Sequence, residues 1–268
     1  MKKPQIILVI GAAILLFSLY YWGNPVPPAK TAEQNMTGRP MQRKLDFEQI
    51  KMNAFTKLDS AKVTAIRALD GKTDVASLTA LSDLWAEAKQ GTMSAKYKAD
   101  LAKLENTEKS LTFASQYFID LYTIEQDTAL KVWQAAQAAE LLEKAVAMNS
   151  SNIAAKVKLA QSYTDGTGET MKGVLMLREV AQTDPSNLAA GITLGRLAVQ
   201  SGQFDKAITR LEKLLIAHPK NTEAMYFLAE SYKGQGNTAK AKELFNECKK
   251  IVNNPNFTKE IDDYIKTF

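Results

Sequence analysis

Few residues of this chain have the type and spacing to do chemistry, and each stands without the partners that chemistry needs. Cys248 could act as a redox thiol and His218 as a general base, but the 268-residue chain has one residue of each kind. A single cysteine closes no internal disulfide and builds no cysteine cluster, and a single histidine excludes histidine-pair zinc motifs. A general base at His218 would need an orienting third group that the sequence does not offer, so His218 reads as a loop residue before Pro219. Cys248 falls at a small-residue position on a helix and reads as an inert packing residue. The close carboxylates, Asp262 with Asp263 and Glu125 with Asp127, sit on helix surfaces or in turns and read as solvated charge. With no glycine-rich phosphate loop, metal spacing or nucleophile elbow, no enzymatic activity, cofactor or metal is expected. A net charge of +5 and a pI near 9.0, without a basic run interleaved with aromatics, give no expectation of nucleic-acid binding.

What the sequence does specify is a repeated element. Leu194, Gly195, Gly202, Ala207, Leu211 and Leu214 recur 34 positions on as Leu228, Ala229, Gly236, Ala241, Phe245 and Cys248. Upstream, Leu159, Ala160, Tyr163, Gly173, Leu177, Val180 and Pro185 fill the same roles, with one extra residue in the turn Asp165 to Gly168. Small residues such as Gly195 and Ala207 belong where two antiparallel helices cross, because only a short side chain lets the backbones approach. Gly202 and Gly236 should end the first helix in a left-handed conformation, while Pro185 and Pro219 stop the second.

Residues at this spacing resemble the tetratricopeptide repeat family, specifically over Ile153 to Pro255 and more weakly over Thr107 to Asn152. The family's usual first-helix Trp is Gly191 or Met225 here, and the last unit has Asn253 where Pro is usual, with Pro255 two residues later. The resemblance implies an all-α solenoid of antiparallel helix pairs that binds a protein or peptide in the groove lined by its first helices. Matched position by position, that groove would hold Val157, Gln161, Ile192, Arg196, Tyr226 and Glu230. It does not reproduce the Lys/Asn clamp for chaperone carboxylate tails, because Val157 and Gln161 stand at those places.

The amino terminus supplies an address. Lys2 and Lys3 precede the uncharged run Ile6 to Trp22, which would span roughly 25 Å at about 1.5 Å per residue. Its closing Tyr20, Tyr21 and Trp22 suit a membrane interface, and no small-residue cleavage site follows, so residues 1–22 read as a signal anchor rather than a cleaved signal peptide. The two lysines lie directly against the run and favour a cytoplasmic terminus, with the rest on the periplasmic side of an inner membrane; Lys30, the nearest of the downstream basic residues, leaves a cytoplasm-facing body as the alternative. Residues 23–46, with four prolines, read as a linker.

Beyond it the apolar spacing is helical throughout. Residues 47–106 read as helices with a degenerate repeat around Gly91, 107–152 as a divergent repeat with an insertion at Ile124 to Ala129, 153–255 as three repeats and 256–268 as a capping helix. In the third helix the stripe is Ala95, Ala99, Ala102 and Leu104. The helices from Phe47 to Leu69 could pair with a second copy, a possible homo-oligomer. The expected function is a membrane-anchored scaffold for protein–protein interaction. The alternative is an envelope assembly factor similar in layout to cytochrome c maturation or outer-membrane assembly repeat proteins.

Overall fold

The computed structural model describes residues 45–268; the expected anchor over 1–22 and nearly all of the linker lie outside them. No helix of the described residues is long and apolar enough to cross a membrane. Leu45 and Asp46, at the end of the expected linker, already belong to the folded body. Leu45 packs on the first core cluster, and the Asp46 side chain accepts the Gln49 N–H at 2.8 Å, capping the first helix.

The described residues form thirteen α-helices and one π-helical turn, without a strand. Helices α1 (Phe47–Phe55), α2 (Ser60–Leu69), α3 (Val75–Glu87) and α4 (Gly91–Glu105) make an amino-terminal group. Helices α5 (Glu108–Ile124) and α6 (Thr128–Met148) form a long hairpin. Three shorter hairpins follow: α7 (Ile153–Gln161) with α8 (Thr170–Thr183), α9 (Leu188–Gln200) with α10 (Phe204–Ala217), and α11 (Thr222–Gly234) with α12 (Thr238–Val252). Helix α13 (Pro255–Ile265) closes the chain. This is the expected all-α, tetratricopeptide-like stack of antiparallel pairs.

The small residues do the work the spacing assigned them. A Cβ on Gly195 would lie 2.6 Å from Leu211 Cδ2, and one on Gly173 only 2.4 Å from the Ala160 carbonyl oxygen, so both hairpins close around a missing side chain. Leu159, Ala160, Leu194, Ala207, Leu228, Ala229 and Ala241 are buried, and Pro219 stands exposed in the turn before α11. Gly202 and Gly236 take φ of +71° and +82°, the left-handed values a helix end of this kind requires.

Several details differ from the sequence expectation. The residue inserted before Gly168 does not loop out: Ser162–Thr167 winds as a π-helical turn that absorbs it between α7 and α8. The α5–α6 hairpin carries its extra length in the helices, joined by only Glu125, Gln126 and Asp127. Between α3 and α4 the chain turns at Lys89, with φ +57°, Gly91 is the first residue of α4, and Leu104 leaves the expected stripe to stand exposed. Asn253 (φ +46°) ends α12, and Pro255 opens α13 as its first residue instead of closing the repeat.

The apolar stripes of α1 and α2, which could have met another chain, are used internally. Ile50, Ala54 and Ile66 pack with Leu78, Leu81, Trp85, Met93 and Tyr97. Phe47 stacks on Trp133 of α6 at 6.5 Å between ring centroids, tying the amino-terminal group to the long hairpin.

Candidate functional site

The residues singled out for chemistry make local structural contacts. Glu125 Oε1 accepts the backbone N–H groups of Gln126 and Asp127 at 2.9 and 3.0 Å, and Asp127 caps α6. Lys249 pairs with Asp262, and Lys266 with Asp263 at 2.8 Å. His218 Nε2 lies 2.8 Å from the Ser186 carbonyl oxygen, joining one inter-repeat turn to the next. Cys248 is fully buried, and burial pushes its thiol up to about 11. The native chain at pH 8 is therefore expected to resist a thiol-specific reagent that labels it at once in urea. Fast native labelling would contradict a packed, protonated sulfur.

The first helices of the three short hairpins share one register because each is capped alike. Asn152, Asn187 and Asn221 accept the N–H groups of Ala155, Ala190 and Ala224 at 2.9, 3.1 and 2.8 Å. Of the six groove residues expected on these helices, two need correction. Val157 and Ile192 are 5% and 7% exposed, because the next unit covers them: Val157 shares a core cluster with Ala190 and Leu194 of α9, and Ile192 one with Ala224 and Leu228 of α11. They pack the stack and cannot grip a ligand.

The other four stay partly exposed, and Gln161, Arg196 and Tyr226 are already engaged. Gln161 Nε2 donates to Thr193 Oγ1 at 3.1 Å. Arg196 Nη2 donates to both Asp165 oxygens, at 2.7 and 2.8 Å, so the π-helical turn neutralises the cation expected to meet a partner. Tyr226 sets its ring 5.3 Å from that of Phe245. Glu230 is half-buried beside Tyr264, whose hydroxyl is pushed up by burial and by that carboxylate. One helical turn earlier, Ala154, Ala189 and Glu223 stand exposed at equivalent places on α7, α9 and α11. These are the first-helix residues open to a partner that residue matching missed, and the 34-residue period could have found them.

The second helices carry a different constellation. Tyr163 donates to Glu143, Lys172 Nζ reaches Glu143 Oε1 at 3.1 Å, and the ammonium sits 4.0 Å from the Tyr163 ring centroid. Two repeats on, Tyr232 donates to Glu212, Lys240 reaches Glu212 Oε1 at 3.3 Å, and its ammonium lies 4.2 Å from the Tyr232 ring. Each lock ties the second helix of one hairpin to both helices of the next. The tyrosine hydrogen bond, with lysine beside it, holds Glu143 and Glu212 below the usual carboxylate range. Burial and Glu143 push the Tyr163 hydroxyl up to about 12.

Comparison with known proteins agrees with this architecture. Residues 174–220 and 198–257 match the family described as tetratricopeptide repeat. Among solved structures, a tetratricopeptide repeat protein from Parabacteroides merdae ATCC 43184 is similar at 17% identity, with a TM-score of 0.54 over 71% of this chain and 72% of that one. A crystal structure of MamA is similar at 18% identity, with a TM-score of 0.50 over 65% of this chain and 95% of that one. At such identities the likeness concerns the fold alone. The sequence has no match among curated proteins. The stacked hairpins, their glycine and alanine crossings and the family match identify tetratricopeptide repeats over residues 174–257 of this chain.

Proposed function

We propose that this protein is a non-catalytic scaffold that binds a protein or peptide partner on the face of its first helices, held beside a membrane by residues 1–22 with the helical body on the periplasmic side. The observation that carries the reading is the common register of α7, α9 and α11, which sets Ala154, Ala189 and Glu223 in a row on a rigid, tightly packed stack. Two small residues and a carboxylate leave room for a partner's side chains beside Gln161 and Arg196, whose polar groups are already paired within the stack. That is a surface of shape rather than of strong charge. The lysine-flanked apolar run and its closing aromatics support the address.

A photo-crosslinking amino acid at Ala189, in the full chain in its native cell, is expected to give one discrete protein adduct from the membrane fraction. The same probe at Ile216, 84% exposed on α10, should give none. Equal adducts from both positions would overturn the first-helix face, and recovery of the chain in the soluble fraction would overturn the anchor.

A further inference from the structure

The two tyrosine–glutamate–lysine locks flank a junction where the same three positions have been rewritten. One repeat after Glu143, Tyr163 and Lys172, and one before Glu212, Tyr232 and Lys240, stand Arg178, Ala198 and Lys206. The acid has become a base, the phenol a methyl group, and the lysine remains. Without a carboxylate to receive Lys206 or a ring to lie beneath it, this junction stays open.

What is left is a groove of about 510 Å³ between α8 and α10, lined by Arg178, Lys206, Arg210 and Lys213 with Asp205 and Thr209. Among the described residues, none of these four cations has a carboxylate within ion-pair distance, whereas both flanking lock lysines do. Lys206 donates to Gln203 Oε1 at 2.7 Å, and Asp205 is taken by Gln235. Arg210 is half-buried, and burial together with the facing Arg178 lowers its hold on its proton. Two guanidiniums held together without a counter-charge are unfavourable until an anion joins them, and guanidinium meets carboxylate in a bidentate geometry.

The length of the cationic stripe sets the kind of anion. Lys206, Arg210 and Lys213 follow one another at spacings of four and three on one face of α10, so they extend over roughly 10 Å along the axis. About five residues of extended chain, whose alternate side chains share one face roughly 6.6 Å apart, present three carboxylates along such a stripe. A single small anion would satisfy the arginine pair and leave the ends of the stripe unanswered. We propose that the α8–α10 groove binds an acidic peptide segment of a protein partner, with Arg178 and Arg210 sharing one carboxylate and Lys206 and Lys213 taking the next carboxylates on the same face of the peptide. This face is made by second helices and does not depend on the first-helix surface.

The test is fluorescence anisotropy of a labelled hexaglutamate peptide with the full chain, against a serine peptide of equal length and with inorganic phosphate as competitor. Hexaglutamate is expected to bind, weakening as salt rises, while the serine peptide does not. Arg178→Glu, which restores the acid of the flanking locks, should weaken binding about tenfold or more, and Arg178→Gln and Arg210→Gln by less. Arg178→Glu with Ala198→Tyr should rebuild the lock around Lys206, abolish binding and raise the melting temperature, so lost affinity is not mistaken for lost folding. Binding unchanged in Arg178→Glu and Arg210→Gln would overturn the site. Displacement by inorganic phosphate as effective as by unlabelled peptide would overturn the acidic peptide as its ligand.

Discussion

Gly166→Ala is expected to destabilise the described body by about 3 kcal/mol, and Ala135→Gly in the same chain to recover much of that loss. Gly166 lies in the π-helical turn, and its φ is not positive, so glycine stands there for space rather than for conformation. A Cβ at this position would lie 2.1 Å from the Cβ of Ala135 in α6. Non-bonded carbons settle at about 3.5–4.0 Å, and a Cβ has no torsion by which to swing away, so the turn and α6 would have to separate. Overpacking of a core costs about 1–3 kcal/mol, and a clash between two backbone-fixed atoms belongs at the upper end. Once the Ala135 methyl is removed, the nearest remaining atoms are Ala135 Cα at 3.5 Å and Tyr122 Cε2 at 3.9 Å, both ordinary contacts. Glycine inside α6 costs about 1 kcal/mol by itself, so the double variant should regain roughly 2 kcal/mol over Gly166→Ala. Urea melts of the four chains in a double-mutant cycle check this. A near-neutral Gly166→Ala, or additive effects, would mean that the close approach is not what fixes this residue.

The same turn shows where sequence stopped specifying structure. The 34-residue period is a statement about helix crossings, and crossings are made by residues whose size is written in the sequence: Gly195 against Leu211, and Gly173 against the Ala160 carbonyl. Depth is another matter. Val157 and Ile192 hold the register of partner-facing residues, yet whether the next hairpin covers them depends on how closely the units stack, which no single unit encodes. Arg196 was legible as an outward cation, but Asp165, which neutralises it, belongs to an inserted residue's π-helical turn thirty-one positions earlier. The basic groove was hidden for a related reason. Arg178, Ala198 and Lys206 are unremarkable alone and mean something only beside the two intact locks, whose partners lie twenty and more residues apart. Likewise the apolar stripes of α1 and α2 declared a need for cover without naming the cover, which Trp85, Tyr97 and Trp133 provide.

Phe245→Ala should remove about 3–5 kcal/mol and release α13 before the rest of the stack. Phe245 is fully buried on α12, its ring 5.3 Å from Tyr226, 5.6 Å from Tyr264 and 6.2 Å from Phe268, so one side chain joins the last hairpin to the closing helix. Aromatic pairs of this edge-on kind contribute about 0.5–1.5 kcal/mol each beyond the area they bury. Helix α13 has 11 residues, of which only Ile261 is fully buried, and a free helix of that length is marginal in water. Its order therefore comes from docking, and truncating Phe245 removes the surface it docks on. Because each hairpin of a repeat stack contacts only its neighbours, the damage should spread from that end inward rather than through the whole body. Hydrogen exchange is expected to show α13 losing nearly all protection and α11–α12 losing part, while α5 and α6, packed around Phe118 and Leu141, keep theirs. Phe245→Leu, which retains most of the volume, should leave α13 docked at a smaller cost. Uniform loss of protection from α5 to α13 would instead show one cooperative unit, and α13 would then be part of a single core rather than a cap that closes its end.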